Sequence, residues 1–517
     1  MRGGSRPLPV AMPPSASLAV LAALAALLAA GGASGQTLCP LGCQCDDDTL
    51  VVTCDSANLD VVPITLNPSI QRLGMRGNRV RTVDAAFQFY GELQYVNLAH
   101  NQLVSIPNKV FEAQSKLLEL HLDHNKISDV ENKTFHGLVR LTVLSLRGNF
   151  LMELRPGQFG ALGRLEELNL GQNRITAIDG RAFEGLASLK VLYLDDNQLR
   201  HVPTAALRPL AKLAELHVGL NSFSALPDDV LQGLAALSVL DMFGAGLTNV
   251  SEAALRGVPG LRVLNLADNK LAAVPTAALS RLARLEELTL GQNLFPVLHA
   301  GAFQGLTNLR KLDVSTASFL ETVEKGAFRD NVNLERLVLE GNKLLTALTD
   351  GALAGLPKLR HLSLRDNQLS HLSEDMVSWR ELSTAELAGN PLHCGCGLRW
   401  LPELLRRWKK APTLCASPLP LRAQPLDDLD AERLGCARQL DSRQQALIAI
   451  VCGVCVVVFA LVALLLFKCR HRIQDALKGY RWNKRSISRK EQEYHKTFSD
   501  PEDYMNTLHK PIPVTEL

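Results

Sequence analysis

The sequence predicts an α/β repeat solenoid with disulfide caps, followed by one transmembrane helix and a disordered tail. Three observations carry that prediction. A segment of the form LxxLxLxxNxL recurs along the chain, two clusters of four cysteines bracket it, and an uncharged apolar stretch with a basic flank follows the second cluster.

The repeat decides the fold. LLELHLDHNKI (117–127), LTVLSLRGNFL (141–151), LEELNLGQNRI (165–175), LKVLYLDDNQL (189–199) and LRVLNLADNKL (261–271) are copies of one unit. Its asparagine returns at 78, 101, 125, 149, 173, 197, 221, 269, 293, 342, 367 and 390, mostly in steps of 24 residues. Ala245 and Ala317 hold the same place, which makes fourteen units across residues 70–390. A length of 517 residues would otherwise imply about three domains of ~150 residues each. Aromatics are only 5% of the chain, which fits a core of many similar aliphatic layers.

Each position in the unit has a task. The leucines of LxxLxL sit on a short strand and alternate into the core, and strands of successive units pair into a parallel sheet on the concave side. The asparagine turns inward where the chain leaves the strand, so that its amide satisfies backbone groups beyond the reach of water. A second apolar anchor closes the convex side: Phe87, Phe111, Phe135, Phe159, Phe183, Leu207, Leu231, Leu255, Leu279, Phe303 and Phe328. A unit buries its apolar edge only against its neighbours, so the array folds as a stack. At Ala245 and Ala317 the pattern leaves two readings: a tolerated change with water in place of the amide, or a local bend.

Two segments address a membrane. Residues 1–35 read as a signal peptide, with Arg2 and Arg6, an apolar run from Leu18 to Ala30, and the small residues Ala33-Ser34-Gly35 before Gln36. Residues 446–467 carry no charge, and at ~1.5 Å per residue they span ~33 Å, enough for a hydrocarbon core of ~30 Å. Lys468, Arg470 and Arg472 follow at once, which predicts a single pass through the plasma membrane with the N-terminus extracellular. Residues 438–445 form a short stalk and residues 468–517 a cytoplasmic tail.

An open stack would expose its core and its sheet edges. Cys39, Cys43, Cys45 and Cys54 (within 36–69) and Cys394, Cys396, Cys415 and Cys436 (within 391–437) lie where caps are needed. An exported chain meets an oxidising compartment, so disulfides are favoured over the rival zinc reading. The spacing leaves three pairings open for each cluster. With NPLHCGCGLRWL at 390–401, these clusters resemble the flanking domains of extracellular leucine-rich-repeat proteins, whose repeats stack into a leucine-rich-repeat horseshoe. That resemblance implies pairing of first with third and second with fourth: Cys39–Cys45, Cys43–Cys54, Cys394–Cys415 and Cys396–Cys436. Trp400 and Leu401 are expected to pack under the second cap. By architecture, residues 36–470 resemble transmembrane adhesion and recognition proteins of the capricious/tartan kind, and are similar to the neuronal leucine-rich-repeat transmembrane proteins.

Asn132-Lys133-Thr134 and Asn249-Val250-Ser251 are glycosylation acceptors beyond the strands, which leaves the concave face open. The outward strand residues form two columns there. One runs His121, Ser145, Asn169, Tyr193, His217, Asp241, Asn265, Thr289, Asp313; the other runs Asp123, Arg147, Gly171, Asp195, Gly219, Phe243, Ala267, Gly291. Tyr193, Leu220 and Phe243 stand out among polar neighbours, as binding hot spots do, and His217 lies beside them. Scattered exposed apolar residues are also ordinary, and surface histidines are commonly just satisfied side chains.

Residues 468–490 hold nine Lys or Arg against one Asp, with Ile473, Leu477 and Tyr480 at helical spacing, a pattern suited to lying on anionic lipid or to stopping transfer. Cys469 is placed for palmitoylation. Tyr504 opens Tyr-Met-Asn, ending at Asn506, and resembles ligands of certain Src-homology-2 adaptors. Thr515 and the terminal Leu517 match ligands of a PDZ-domain scaffold. Net charge is +3, which excludes a nucleic-acid polycation, and no nucleophile–base signature, metal set or cofactor motif is present. The expected function is cell-surface adhesion or recognition of an extracellular protein ligand, or of the same protein on a neighbouring cell. The alternative is a receptor or co-receptor for a secreted or matrix ligand; an enzyme is not expected.

Overall fold

The computed structural model describes residues 39–83, 85–436 and 442–494, in two units that divide after Cys436. The signal segment 1–35 and the tail residues Tyr504, Asn506, Thr515 and Leu517 lie outside the described residues.

The first unit is the solenoid. Each turn contributes a three-residue strand whose middle residue is buried and whose flanking residues face outward, as in Glu119–His121, Glu167–Asn169 and Val191–Tyr193. Fourteen such strands, joined by the two strands of a hairpin at the first end, form one sixteen-stranded sheet. The hairpin Gln44–Asp46 with Val51–Thr53 is antiparallel, and every later pair is parallel. Leucine meets leucine from turn to turn: Leu120 pairs with Leu144, Leu144 with Leu168, and Leu192 with Leu216. On the other side all eleven anchors from Phe87 to Phe328 are at most 1% exposed. The rings stack along the solenoid axis, with Phe135–Phe159 at 6.0 Å and Phe303–Phe328 at 5.5 Å. Phe223 and Phe295 add two rings where most other turns carry leucine or isoleucine.

The asparagines link turn to turn. Asn173 Nδ2 donates to Leu170 O and to Leu146 O of the preceding turn, both at 3.0 Å, while its Oδ1 accepts the Leu151 amide at 3.1 Å. The pattern repeats at Asn125, Asn149, Asn197 and Asn221. To aim the amide inward, the preceding residue takes a left-handed conformation, with φ of 52° at His124, 52° at Gln172 and 53° at Asp196. At Ala245 and Ala317 the sheet runs on in register, Leu240 with Leu264 and Leu312 with Leu337. Ala317 gives its own N–H to Asn342 Oδ1 at 2.8 Å.

Disulfides join Cys39–Cys45 and Cys43–Cys54 at the first end, and Cys394–Cys415 and Cys396–Cys436 at the second. The hairpin covers the first sheet edge. At the second end the helix Leu401–Trp408 buries Leu401, Leu404 and Trp408, and Trp408 Nε1 donates to Leu382 O at 3.2 Å. Trp400 lies 5.0 Å from Trp379.

The second unit is one helix, Ser442–Tyr494. Its apolar part, Ala446–Arg472, has mean hydropathy 3.3, long and apolar enough to cross a membrane. The helix passes the boundary expected at Phe467 and continues through the basic flank, where no proline and a single glycine, Gly479, interrupt it.

Replacing Asn173 by Ala leaves the buried Leu151 amide without a partner, at a cost of about 1–3 kcal/mol unless water rescues it, and removes one of the two side-chain donors from Leu146 O and from Leu170 O, which keep Asn149 and Asn197. Chemical denaturation of the purified protein should show an earlier midpoint for N173A; an unchanged midpoint would remove the asparagine from its structural role.

Candidate functional site

The outward residues of adjacent strands stand one rung apart, ~4.8 Å, so side chains on the concave face are neighbours across turns. Tyr193, His217 and Asp241 pair in register on three successive rungs. The Tyr193 and His217 rings stack at 4.6 Å and 15°. His217 Nδ1 lies 3.5 Å from Asp241, and Nε2 lies 3.8 Å from Glu215. Tyr193 is therefore half-buried against the imidazole and presents one face rather than a free ring.

Charge follows from these distances. The Asp241 hydrogen bond raises His217 above its ordinary value of 6.5; burial opposes this, and the nearby Asp241, Glu215 and Asp195 charges add to it. Asp241 feels burial first, which pushes it up, but bonds from His217 and the Phe243 amide outweigh that and hold it below 3.8. Burial, then the charges of Glu167, Glu215 and Asp195, raise the Tyr193 hydroxyl.

The apolar half of the site lies beside this cluster. Leu220 is 45% exposed and Phe243 36% exposed. Their backbones are joined, Leu220 N donating to Phe243 O at 2.6 Å. Leu220 occupies the left-handed position before Asn221, with φ of 51°, so its outward direction is imposed by the turn. Gly219 permits the close approach, because a Cβ there would lie 2.5 Å from Phe243 O. The four residues singled out from the sequence thus sit on three successive turns.

Several parts of this face were not read from the sequence. Glu119, Glu167 and Glu215 form a further outward column that makes the region acidic. Arg147 reaches two rungs to Asp195 at 3.0 Å. It does so over Gly171, where a Cβ would lie 2.6 Å from Arg147 Nη1. Tyr95 carries Arg72 over its ring at 4.1 Å and meets His121 at 5.4 Å. Ser145, expected to face outward, is 7% exposed, covered as it bonds the Asp123 carboxylate. Both glycosylation acceptors, Asn132 and Asn249, are exposed, and Cys469 is an exposed free thiol. Among the described residues no group of His, Cys, Asp and Glu is arranged to hold a metal ion.

The family profile described as leucine rich repeat matches residues 91–151, 139–199, 188–247, 245–295, 259–319, 284–344, 316–369 and 332–392, an unbroken run over more than half of the chain. No curated protein matches the chain. Among solved structures, the leucine-rich-repeat protein LIC12759 of Leptospira interrogans is similar, with TM-score 0.57 and 25% identity over 69% of this chain and 93% of that one. TLR13 in its complex with ssRNA13 shares the fold, with TM-score 0.54 and 23% identity over 73% of this chain and 63% of that one. So does the functional domain of InlJ from Listeria monocytogenes, with TM-score 0.51 and 18% identity over 69% of this chain and 71% of that one.

The His217–Asp241 pair gives the fold a pH signature. His217 is held protonated to a higher pH in the folded state, so its contribution is complete below about 6.5 and fades as pH rises through the folded value. Asp241 contributes above about 3.8 and loses its contribution as pH falls through its lowered value. The unfolding midpoint of H217Q should fall furthest below the parent between those values and rejoin it as pH rises above the raised value of His217. A gap independent of pH would show that the pairing carries none of it.

Proposed function

The chain belongs to the leucine-rich-repeat family, a protein-interaction scaffold, and from that premise we propose that it is a single-pass cell-surface adhesion or recognition protein. The observation that carries this reading is the concave site: a stacked Tyr193–His217 pair, an acidic surround, and Leu220 and Phe243 left open to solvent on neighbouring turns. Aromatic and apolar groups ringed by polar ones are the usual centre of a protein interface, and truncating one typically costs 2 kcal/mol or more. The capped ectodomain, with disulfides suited to an oxidising compartment, and a helix long enough to cross a membrane support a plasma-membrane protein with its N-terminus outside. Glycans at Asn132 and Asn249 would sit away from the concave strands.

The tail gives the second reading its support. Tyr504 with Asn506 offers a phosphotyrosine ligand to a Src-homology-2 adaptor, Thr515 and Leu517 offer a C-terminal ligand to a PDZ-domain scaffold, and Cys469 offers a palmitoylation site. A receptor or co-receptor for a secreted or matrix ligand would use the same concave face and signal through those recruits.

Non-adherent cells expressing the full chain, mixed with labelled cells that lack it, separate the readings. Clustering among expressing cells indicates homophilic adhesion, and capture of the other cells indicates a second surface protein. In either case Phe243→Ala should weaken adhesion by about tenfold or more at equal surface expression. Absence of clustering, with the protein present at the surface, would sink the adhesion reading in favour of the receptor.

A further inference from the structure

A basic pocket lies on the flank where the chain enters the strands, away from the concave residues discussed above. Arg262, Glu286 and Arg310 each stand one residue before a strand, on three successive rungs, and the backbone joins them: Glu286 N donates to Arg262 O and Arg310 N to Glu286 O, both at 2.8 Å. Two residues earlier on the second and third rungs come Arg284 and Asn308; on the first rung that place is Gly260, which contributes no side chain. Arg262, Arg284, Glu286, Asn308 and Arg310 line one cavity of about 260 Å³.

Three guanidiniums face one carboxylate there, so the lining carries two positive charges in excess. Glu286 is taken by Arg262 at 2.7 Å. Arg310 has only a long contact to Glu335, 3.9 Å, from the next rung. Among the described residues Arg284 has no ion pair. Asn308 is fixed by its bond to Ala283 O at 2.8 Å. Two planar forks with free donors, beside a rigid amide, match the oxygens of a sulfate or phosphate ester, which guanidinium binds in bidentate fashion.

We propose that this pocket is an anion-binding site that holds a sulfate group of a linear sulfated polysaccharide. The polymer is favoured over a free ion because basic residues recur on the same flank beyond the single intervening Glu335. Lys358 and Arg360 hold the same two positions two rungs beyond Asn308 and Arg310, at a rung spacing of ~4.8 Å. Neither glycosylation acceptor falls on this flank, since Asn132 and Asn249 lie after their strands rather than before them.

The test uses the full-length protein in detergent and immobilised heparin at about 150 mM salt, near physiological ionic strength. Binding is expected with heparin and not with chemically desulfated heparin, and an excess of inorganic phosphate should compete only weakly. Arg284→Gln with Arg310→Gln should weaken binding about tenfold, the equivalent of ~1.4 kcal/mol. The matched control is Arg140→Gln with Arg422→Gln, two exposed arginines that are not neighbours, one ahead of a strand and one in the second cap. Unchanged thermal midpoints exclude misfolding, and Arg284→Lys with Arg310→Lys should fall between the parent and the glutamine pair, since charge is kept and the fork is lost. Equal losses in the two glutamine pairs would reduce the effect to general charge and overturn the site. Binding to desulfated heparin, full competition by phosphate, or no binding at all would overturn it as well.

Discussion

A side-chain amide that serves three backbone groups on adjoining turns is the constraint on which the solenoid rests. The strand is only three residues long, so the sheet ladder ends almost as soon as it begins, and the chain must turn inward at once. The groups that emerge at that turn are buried, and a buried carbonyl or amide without a partner costs more than any single leucine contact returns. Asn173 meets two carbonyls and one amide from one side chain, and in doing so fixes the register between its own turn and the one before. The left-handed residue ahead of each asparagine follows from this, as does the outward direction of whatever side chain that residue carries.

The periodic part of the molecule was legible because each turn repeats one environment. A leucine at a given place has the same neighbours in every turn, so sequence spacing alone identifies the inward residues, the convex anchors and the asparagines. What was hidden depends on contacts between unlike turns. The Arg147–Asp195 bridge exists only because Gly171 leaves a gap between them, and no single unit contains all three. Spacing puts Tyr193 in a patch with Leu220 and Phe243, yet its place is set by the imidazole one rung away, a ring contact that no single unit contains. The turns at Ala317 and Asn342 run to 25 residues before the next unit, and the extra residue turns Phe319 and Leu344 outward while Leu320 and Leu345 fill the core. The length of the second helix was equally hard to read, since a basic flank marks the edge of a span without ending a helix.

Small residues act on the concave face by making room for their neighbours. Gly171 lets a salt bridge cross a rung, and Gly219 lets Phe243 lie close to the sheet. In a stack that repeats every ~4.8 Å, a side chain can reach past its immediate neighbour only where that neighbour is absent. Glycines in the outward columns therefore decide which residues couple across turns, and so which patches exist. The apolar patch at Leu220 and Phe243 and the acidic cluster around His217 lie next to each other for this reason, on turns that share the same backbone.

The same logic separates the solenoid's surfaces by function. Residues after the strands carry the glycan acceptors and the imposed left-handed turns, while residues on the strands carry the aromatic and acidic groups. Residues before the strands alternate arginine with glutamate from Arg262 to Arg360, so most charges there are already paired with the next rung. A ladder of that kind contributes little stability at a surface exposed to water and salt, because each pair gains weakly from the solvent-screened attraction. Its effect is to hold guanidiniums at fixed intervals, and where an extra arginine such as Arg284 joins without an acidic partner, the fixed spacing becomes a surplus of positive charge in a defined geometry. A repeat protein can in this way acquire a second recognition surface by changing one residue type on one row, leaving both the core and the first surface as they were.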